Sequence, residues 1–177
     1  MKLIVLDRDG VINKDSDQFI KSPDEWEAIP GSLEAIAKLN QAGWRVVVAS
    51  NQSGVGRGLF GMDMLNAING RMNEALAQVG GRIDAIFFCP HAADSTCECR
   101  KPKPGLLEQI QERFNVDLTG APMVGDSLRD LQAGMAVGCQ PYLVLTGKGH
   151  KTQDDPDLPA DTRIFPDLAA VVDALLD

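Results

Sequence analysis

Short apolar runs and amphipathic stretches alternate along almost the whole chain, and that alternation restricts the fold more than any single residue does. Apolar runs at 3–6, 46–49, 83–88, 122–124 and 142–145, with a weaker one at 162–165, read as buried strands. Stretches at 32–41, 62–79, 105–114, 128–137 and 168–176 read as helices. The first of these is expected to be capped by Ser32 and to stop at Gly43. The alternation predicts an α/β fold, a doubly wound, Rossmann-like parallel sheet with helices on both faces. Right-handed crossovers put the C-terminal ends of all its strands on one edge, where ligands bind.

Three segments do not fit the alternation. Residues 13–30 are long for a strand-to-helix link and are expected to fold over the active edge. Residues 89–104 form a second long excursion, and the polar stretch 147–161 reads as a surface loop. Neither long excursion is large enough to be a domain, so the expectation is one domain over residues 1–177 without a large cap. The net charge of −8 and the lack of a Lys/Arg run argue against nucleic-acid or anionic-membrane partners. An anionic small molecule remains admissible if the cations that bind it are local. The first apolar run is cut by Asp7, too short for a signal peptide, and no stretch reaches membrane-spanning length. The expectation is a cytoplasmic monomer, with Cys89, Cys97, Cys99 and Cys139 as thiols or metal ligands instead of disulfides.

The polar residues that follow the strands carry the chemistry. After the first come Asp7-Arg8-Asp9-Gly10-Val11. After the second come Ser50, Asn51, Gln52 and Ser53, then Gly54-Val55-Gly56-Arg57-Gly58. Cys89 and His91 follow the third, and Gly125-Asp126-Ser127-Leu128-Arg129-Asp130 the fourth. Arg100-Lys101-Pro102-Lys103-Pro104-Gly105 precedes the helix that leads to the fourth strand. Asp7 and Asp9 start from the same side of extended backbone, and like charges held that close call for a cation or a proton. The pair also fits a solvated acidic turn. Taken together, the carboxylates, hydroxyl and cations suit phosphoryl transfer. A phosphate monoester repels anions, so a metal and cationic side chains must neutralise its oxygens. Asp7 and Asp126 supply carboxylate ligands of the kind magnesium prefers. One carboxylate can attack phosphorus while a second protonates the leaving oxygen and later activates water.

These four pieces, in this order and at these strand ends, resemble the haloacid dehalogenase superfamily of phosphatases over nearly the full chain. The resemblance implies that Asp7 is the nucleophile and Asp9 the general acid/base. It implies that Ser50 and Lys101 bind the transferring phosphoryl group. Magnesium would be held by Asp7, Asp126 and the backbone carbonyl of Asp9. Asp130 lies one helical turn beyond Asp126, and both a site residue and a solvated helix carboxylate fit that position.

Cys89, His91, Cys97 and Cys99 place three sulfurs and an imidazole within eleven residues, a donor set that suits tetrahedral zinc. Four protein ligands would close the coordination sphere, making this zinc structural. Cys139 stands apart and reads as a small buried residue. With this loop, the chain resembles the D-glycero-D-manno-heptose 1,7-bisphosphate 7-phosphatases. The related histidinol-phosphate phosphatases and other small sugar-phosphate phosphatases are the alternative. That resemblance implies a small sugar phosphate as substrate and Mg2+ and Zn2+ as cofactors. It assigns substrate recognition to Arg100, with Asn51, Gln52, Ser53 and Ser127 near the substrate. Asp15, Ser16, Asp17 and Gln18 would lie in a flap over it. One departure stands out: members of that family often carry Lys directly after the fourth-motif Asp, where this chain has Ser127. Lys148 or Lys151 is available to compensate.

Three readings from other classes fit less well. A phospho-accepting signalling receiver needs its acceptor Asp after the third strand, where this chain has Cys89. The spacing of Gly54, Gly56 and Gly58 matches neither the dinucleotide fingerprint nor a phosphate loop, so these glycines read as tight-turn residues. A zinc-stabilised binding protein without catalysis is disfavoured by the intact Asp7–Asp9 pair.

Overall fold

The structure, a computed structural model, describes residues 2–177. Six strands form one parallel sheet in the order β3-β2-β1-β4-β5-β6. They are β1 (Leu3–Leu6), β2 (Arg45–Asn51), β3 (Ala85–Cys89), β4 (Pro122–Gly125), β5 (Gln140–Val144) and β6 (Arg163–Phe165). The helices are α1 (Ser32–Gln41), α2 (Ser53–Gly56), α3 (Met62–Gln78), α4 (Gly105–Phe114), α5 (Leu128–Met135), α6 (Gly149–Gln153) and α7 (Leu168–Leu176). The strand order reverses at β1, whose neighbours are β2 and β4. That topological switch point is where a doubly wound sheet opens a crevice.

Strand alternation feeds two cores, one on each face of the sheet. Ile4, Leu6, Val46, Val48, Val124, Tyr142 and Val144 face α1, α3 and α7, meeting Ile36, Leu39, Ile68, Met72, Val171 and Val172. Leu3, Val5, Val47, Ala49 and Met123 face α4 and α5, meeting Leu106, Leu107, Ile110 and Ala133. Both faces of β1 are therefore buried, which explains its uninterrupted apolar run.

Two local expectations are corrected. Ser32 is the first residue of α1, and Gly31, at φ 88°, occupies the cap position. The Ser32 hydroxyl is instead buried and donates to the Val11 carbonyl at 2.8 Å, tying α1 to the loop after β1. The stretch 147–161 is no simple surface loop. It contains α6, whose Thr152 is buried against the fourth-strand acid. Among the described residues, no helix is long and apolar enough to cross a membrane.

Candidate active site

Asp7 leaves β1 with its backbone N–H still donating to the Val124 carbonyl of β4 at 3.0 Å, so its side chain emerges at the crevice. Asp126, Asp130 and Lys101 converge on it. The Lys101 ammonium donates to Asp7 Oδ1 at 3.1 Å, to Asp130 Oδ1 at 2.6 Å and to the Ala49 carbonyl at 2.8 Å. Lys101 is 1% exposed, and its charge is tolerated only because three acceptors surround it. Asp130 and Asp7 raise the Lys101 pKa against the desolvation that would lower it. Asp130 is 2% exposed, so it is a buried anchor for Lys101 and no solvated helix carboxylate. Its second oxygen accepts from the Ser127 N–H at 3.2 Å and hydroxyl at 2.9 Å, which closes the N-terminus of α5.

The cluster carries more negative charge than Lys101 compensates. Burial, then Asp130, raise the Asp7 pKa well above the carboxylate range, with Asp126 and Asp9 adding to the effect. Burial and Asp130 push Asp126 up to about 7. Carboxylate oxygens of Asp7, Asp126 and Asp130 all lie within 4.8 Å of one another. Glycines make the room: a Cβ on Gly10 (φ 87°) or Gly147 (φ 57°) would collide with Oδ2 of Asp126. Among the described residues, no hydrogen-bond donor is assigned to the Asp9 carbonyl. A hard divalent cation with oxygen ligands fits these donors, and Asp7, Asp126 and the Asp9 carbonyl would hold it. Both Asp130 oxygens are already engaged, so Asp130 serves Lys101.

Asp9 sits in a different environment. Burial would raise its pKa, but Arg8, Asn13 and Gln52 outweigh burial and lower it. Arg8 Nε donates to Oδ1 at 2.9 Å and Nη2 to Oδ2 at 3.3 Å; Asn13 and Gln52 add contacts at 2.9 and 3.3 Å. Gln52 also donates to Ser50 Oγ at 2.7 Å and accepts from Arg8 Nη2 at 3.3 Å. Ser50 therefore keeps its own proton free to donate.

The second cluster follows β3. Cys89 Sγ lies 3.3 Å from His91 Nδ1 and 3.6 Å from Cys97 Sγ, and Cys99 Sγ lies 3.3 Å from the same nitrogen. A zinc ion with sulfur ligands at roughly 2.3 Å requires donor separations of about 3.8 Å. All four donors lie within 4.8 Å of one another, so they fit a tetrahedral ion and would hold one without an open position. Burial and the neighbouring thiols push Cys99 up to about 12. At Cys97 burial acts in the same sense but is outweighed by hydrogen bonds, from Ser95 first, which bring it down to about 6. Cys139 is buried in the core under α4 and α5, outside the four-donor cluster, with its thiol pushed up to about 12 by desolvation alone.

Comparison with known proteins places this geometry. Residues 98–171 match a family model described as "HAD-hyrolase-like". A D-glycero-beta-D-manno-heptose-1,7-bisphosphate 7-phosphatase of Bordetella bronchiseptica is 61% identical, over 99% of this chain and 98% of that protein. The protein of that name from Pseudomonas aeruginosa is 57% identical over 98% and 97%. A crystal structure of D,D-heptose 1,7-bisphosphate phosphatase from B. bronchiseptica, complexed with magnesium and phosphate, superposes with a TM-score of 0.98 at 61% identity. It covers 99% of this chain and 98% of that one. The chain belongs to the heptose-1,7-bisphosphate 7-phosphatase family.

In this member of the heptose-1,7-bisphosphate 7-phosphatase family, a cavity of about 260 Å³ opens over the strand ends. It is lined by Asp7, Asp9, Lys101 and Asp126, by Asn51, Ser53, Arg100 and Ser127, and by Asp15, Ser16 and Asp17 of the flap. Gln18 does not line it. That residue is exposed, with its backbone N–H on Ser16 Oγ and its carbonyl on Lys21. Gln52 is buried behind Ser50 and Asp9, so it orients side chains instead of facing substrate. Ser127 reaches the cavity, yet its hydroxyl is committed to Asp130. Asn51 grips the Lys101 backbone in both directions, at 3.0 and 3.1 Å. Lys148 pairs with Asp15 at 3.5 Å, while its backbone N–H donates to Asp126 Oδ2 at 2.9 Å. The Thr152 hydroxyl donates to the Asp126 carbonyl at 2.7 Å. Arg57, Arg129, Phe19 and the Asp126 supports from 148–152 escaped the sequence reading. All of them lie inside stretches already singled out, and Lys148 was named there only as a substitute for the missing lysine at Ser127.

Proposed function

We propose that this chain hydrolyses the 7-phosphate of D-glycero-beta-D-manno-heptose 1,7-bisphosphate through an aspartyl-phosphate on Asp7. The observation that carries the reading is the Asp7 carboxylate at the end of β1, held by the buried Lys101 with Asp9 beside it. Near-full-length identity to relatives of that name supports the substrate. We assign the whole chain to one catalytic unit, acting in the cytoplasm as a monomer without nucleic-acid or membrane partners; the net charge of −8 supports the last point.

In the first step an Asp7 oxygen attacks phosphorus and the bond from phosphorus to the sugar oxygen breaks. Lys101 and the free Ser50 proton bind the phosphoryl oxygens as charge shifts onto them. Asp9 delivers a proton to the leaving oxygen. In the free protein Arg8 keeps Asp9 ionised; a phosphate dianion brought beside it opposes Arg8 and moves the balance toward the acid. In the second step Asp9 takes a proton from water, which attacks the aspartyl-phosphate and frees Asp7 and inorganic phosphate. Magnesium at Asp7, Asp126 and the Asp9 carbonyl would neutralise phosphoryl charge, and zinc at the cysteine loop would hold the backbone that carries Arg100 and Lys101.

A phosphate-release screen with magnesium tests the reading, comparing heptose 1,7-bisphosphate, fructose 1,6-bisphosphate and histidinol phosphate. The heptose substrate is expected to give the highest kcat/KM. A higher value for histidinol phosphate would move the assignment to that phosphatase class.

A further inference from the structure

The cations around the cavity fall into two groups. Lys101 pairs with Asp7 and Asp130, and Lys148 with Asp15. Arg57, Arg100 and Arg129 line the same cavity, yet among the described residues no carboxylate lies within ion-pair distance of any of them. The Nη1 atom of Arg100 is buried with no hydrogen-bond partner. A desolvated guanidinium N–H without an acceptor is unfavourable, and like charges gathered on one wall add repulsion. An arriving anion relieves both.

The backbone that carries the three arginines is anchored. Gly56 of α2 donates to the Pro90 carbonyl at 2.8 Å, and a Cβ there would come within 2.6 Å of that oxygen. So α2, followed directly by Arg57, is pressed onto the cysteine loop. Arg57 Cζ lies 5.8 Å from the centroid of the Phe19 ring in the flap. Phe19 has φ 67°, which an aromatic L-residue rarely adopts. Stacking occupies the face of a guanidinium and leaves its edge N–H groups free. Arg100 follows the ligand Cys99, and Arg129 stands on the first turn of α5, one residue before the buried anchor Asp130.

We propose that Arg57 and Arg129 join Arg100 in a distal anion subsite that binds the second phosphate of a sugar bisphosphate, away from the Asp7–Lys101 centre. The proposal rests on the bisphosphate reading above. It assigns to these arginines the charge that Ser127 cannot supply and that Lys148 commits to Asp15. Guanidinium forks match phosphate oxygens in pairs, so the subsite selects a phosphate ester over a neutral sugar end.

The test compares kcat/KM for heptose 1,7-bisphosphate with that for heptose 7-phosphate, using the metal-loaded wild type, Arg57→Gln, Arg129→Gln and Arg129→Lys. The wild type should prefer the bisphosphate. Each Gln variant should lower the bisphosphate-to-monophosphate ratio by about tenfold, and Arg129→Lys should recover part of it. Equal losses on both substrates, or a ratio unmoved by either Gln variant, would overturn the subsite while leaving the bisphosphatase reading standing. A wild type that turns over both substrates equally well would remove that reading and the subsite together.

Discussion

The two candidate metal centres share one edge of the sheet and are built in opposite ways. The oxygen site gathers Asp7 and Asp126 from the ends of β1 and β4, Asp130 from the first turn of α5 and Lys101 from a distant loop, and buries all of them. Its carboxylates repel one another, so it is complete only with cations. The sulfur site draws its four donors from residues 89–99 and leaves three of them partly or fully exposed. It needs one ion and little else. The contrast teaches why the proposed chemistry is placed at the crowded, under-compensated site and the proposed anchoring role at the local one. Its last ligand precedes Arg100, and its backbone supports α2.

Substitutions can break this contrast at either end. Asp7→Asn is expected to have the largest effect, a loss of at least about a thousandfold in kcat, since an amide cannot attack as an anion. Steady-state rates read the loss, and mapping a trapped phosphate mimic should find it on Asp7 in the wild type. Lys101→Met should follow. It leaves Asp7 and Asp130 buried without their cation, and removing one partner of such a pair costs about 3–5 kcal/mol; chemical denaturation measures it. Cys97→Ser should act more gently, with a rise of about tenfold in KM for the bisphosphate and a smaller fall in kcat as Arg100 and Lys101 lose their anchor. Circular dichroism should still report the folded sheet.

The smallest effect concerns pH. Burial and Asp130 push Asp126 up to about 7, and burial raises Asp7 in the same sense. The metal-free fold therefore holds these protons more tightly than the unfolded chain does. That stability is fully present below the ordinary carboxylate value of about 4 and is lost as pH rises from there through about 7. Asp9, whose pKa is lowered, contributes in the opposite sense, and its share is lost only on acidification below that window. Zinc-loaded, magnesium-free protein should thus melt lower at pH 8 than at pH 5, and magnesium should raise Tm more at pH 8. Equal magnesium increments at both values would remove the charge-frustration argument.

The centre of the sheet was legible because β1, β2, β4 and β5 carry short apolar runs buried on both faces, whereas the edge strand β6 is exposed and gave only a weak signal. β1, α1, α4 and α7 fall where the pattern puts them. α2 and α6 were not legible, because four or five residues that include glycine have little intrinsic helix preference and are held by tertiary contacts. Gly56 against Pro90 and Thr152 on Asp126 are such contacts. Asp7, Asp9 and Asp126 follow from their places after strand ends, and Arg100 and Lys101 from theirs before α4. The burial of Asp130 does not, since it depends on Lys101 arriving from 29 residues earlier. Gln18 and Gln52 show the same limit: polar residues in a flap or after a strand do not announce which way they turn.

The division of labour between the two sites is tested most directly by brief treatment with a weak chelator, followed by metal analysis and assay of the same sample. Turnover should vanish while bound zinc stays at one per chain, and magnesium alone should restore it. Restoration that requires added zinc, at unchanged bound zinc content, would contradict the account.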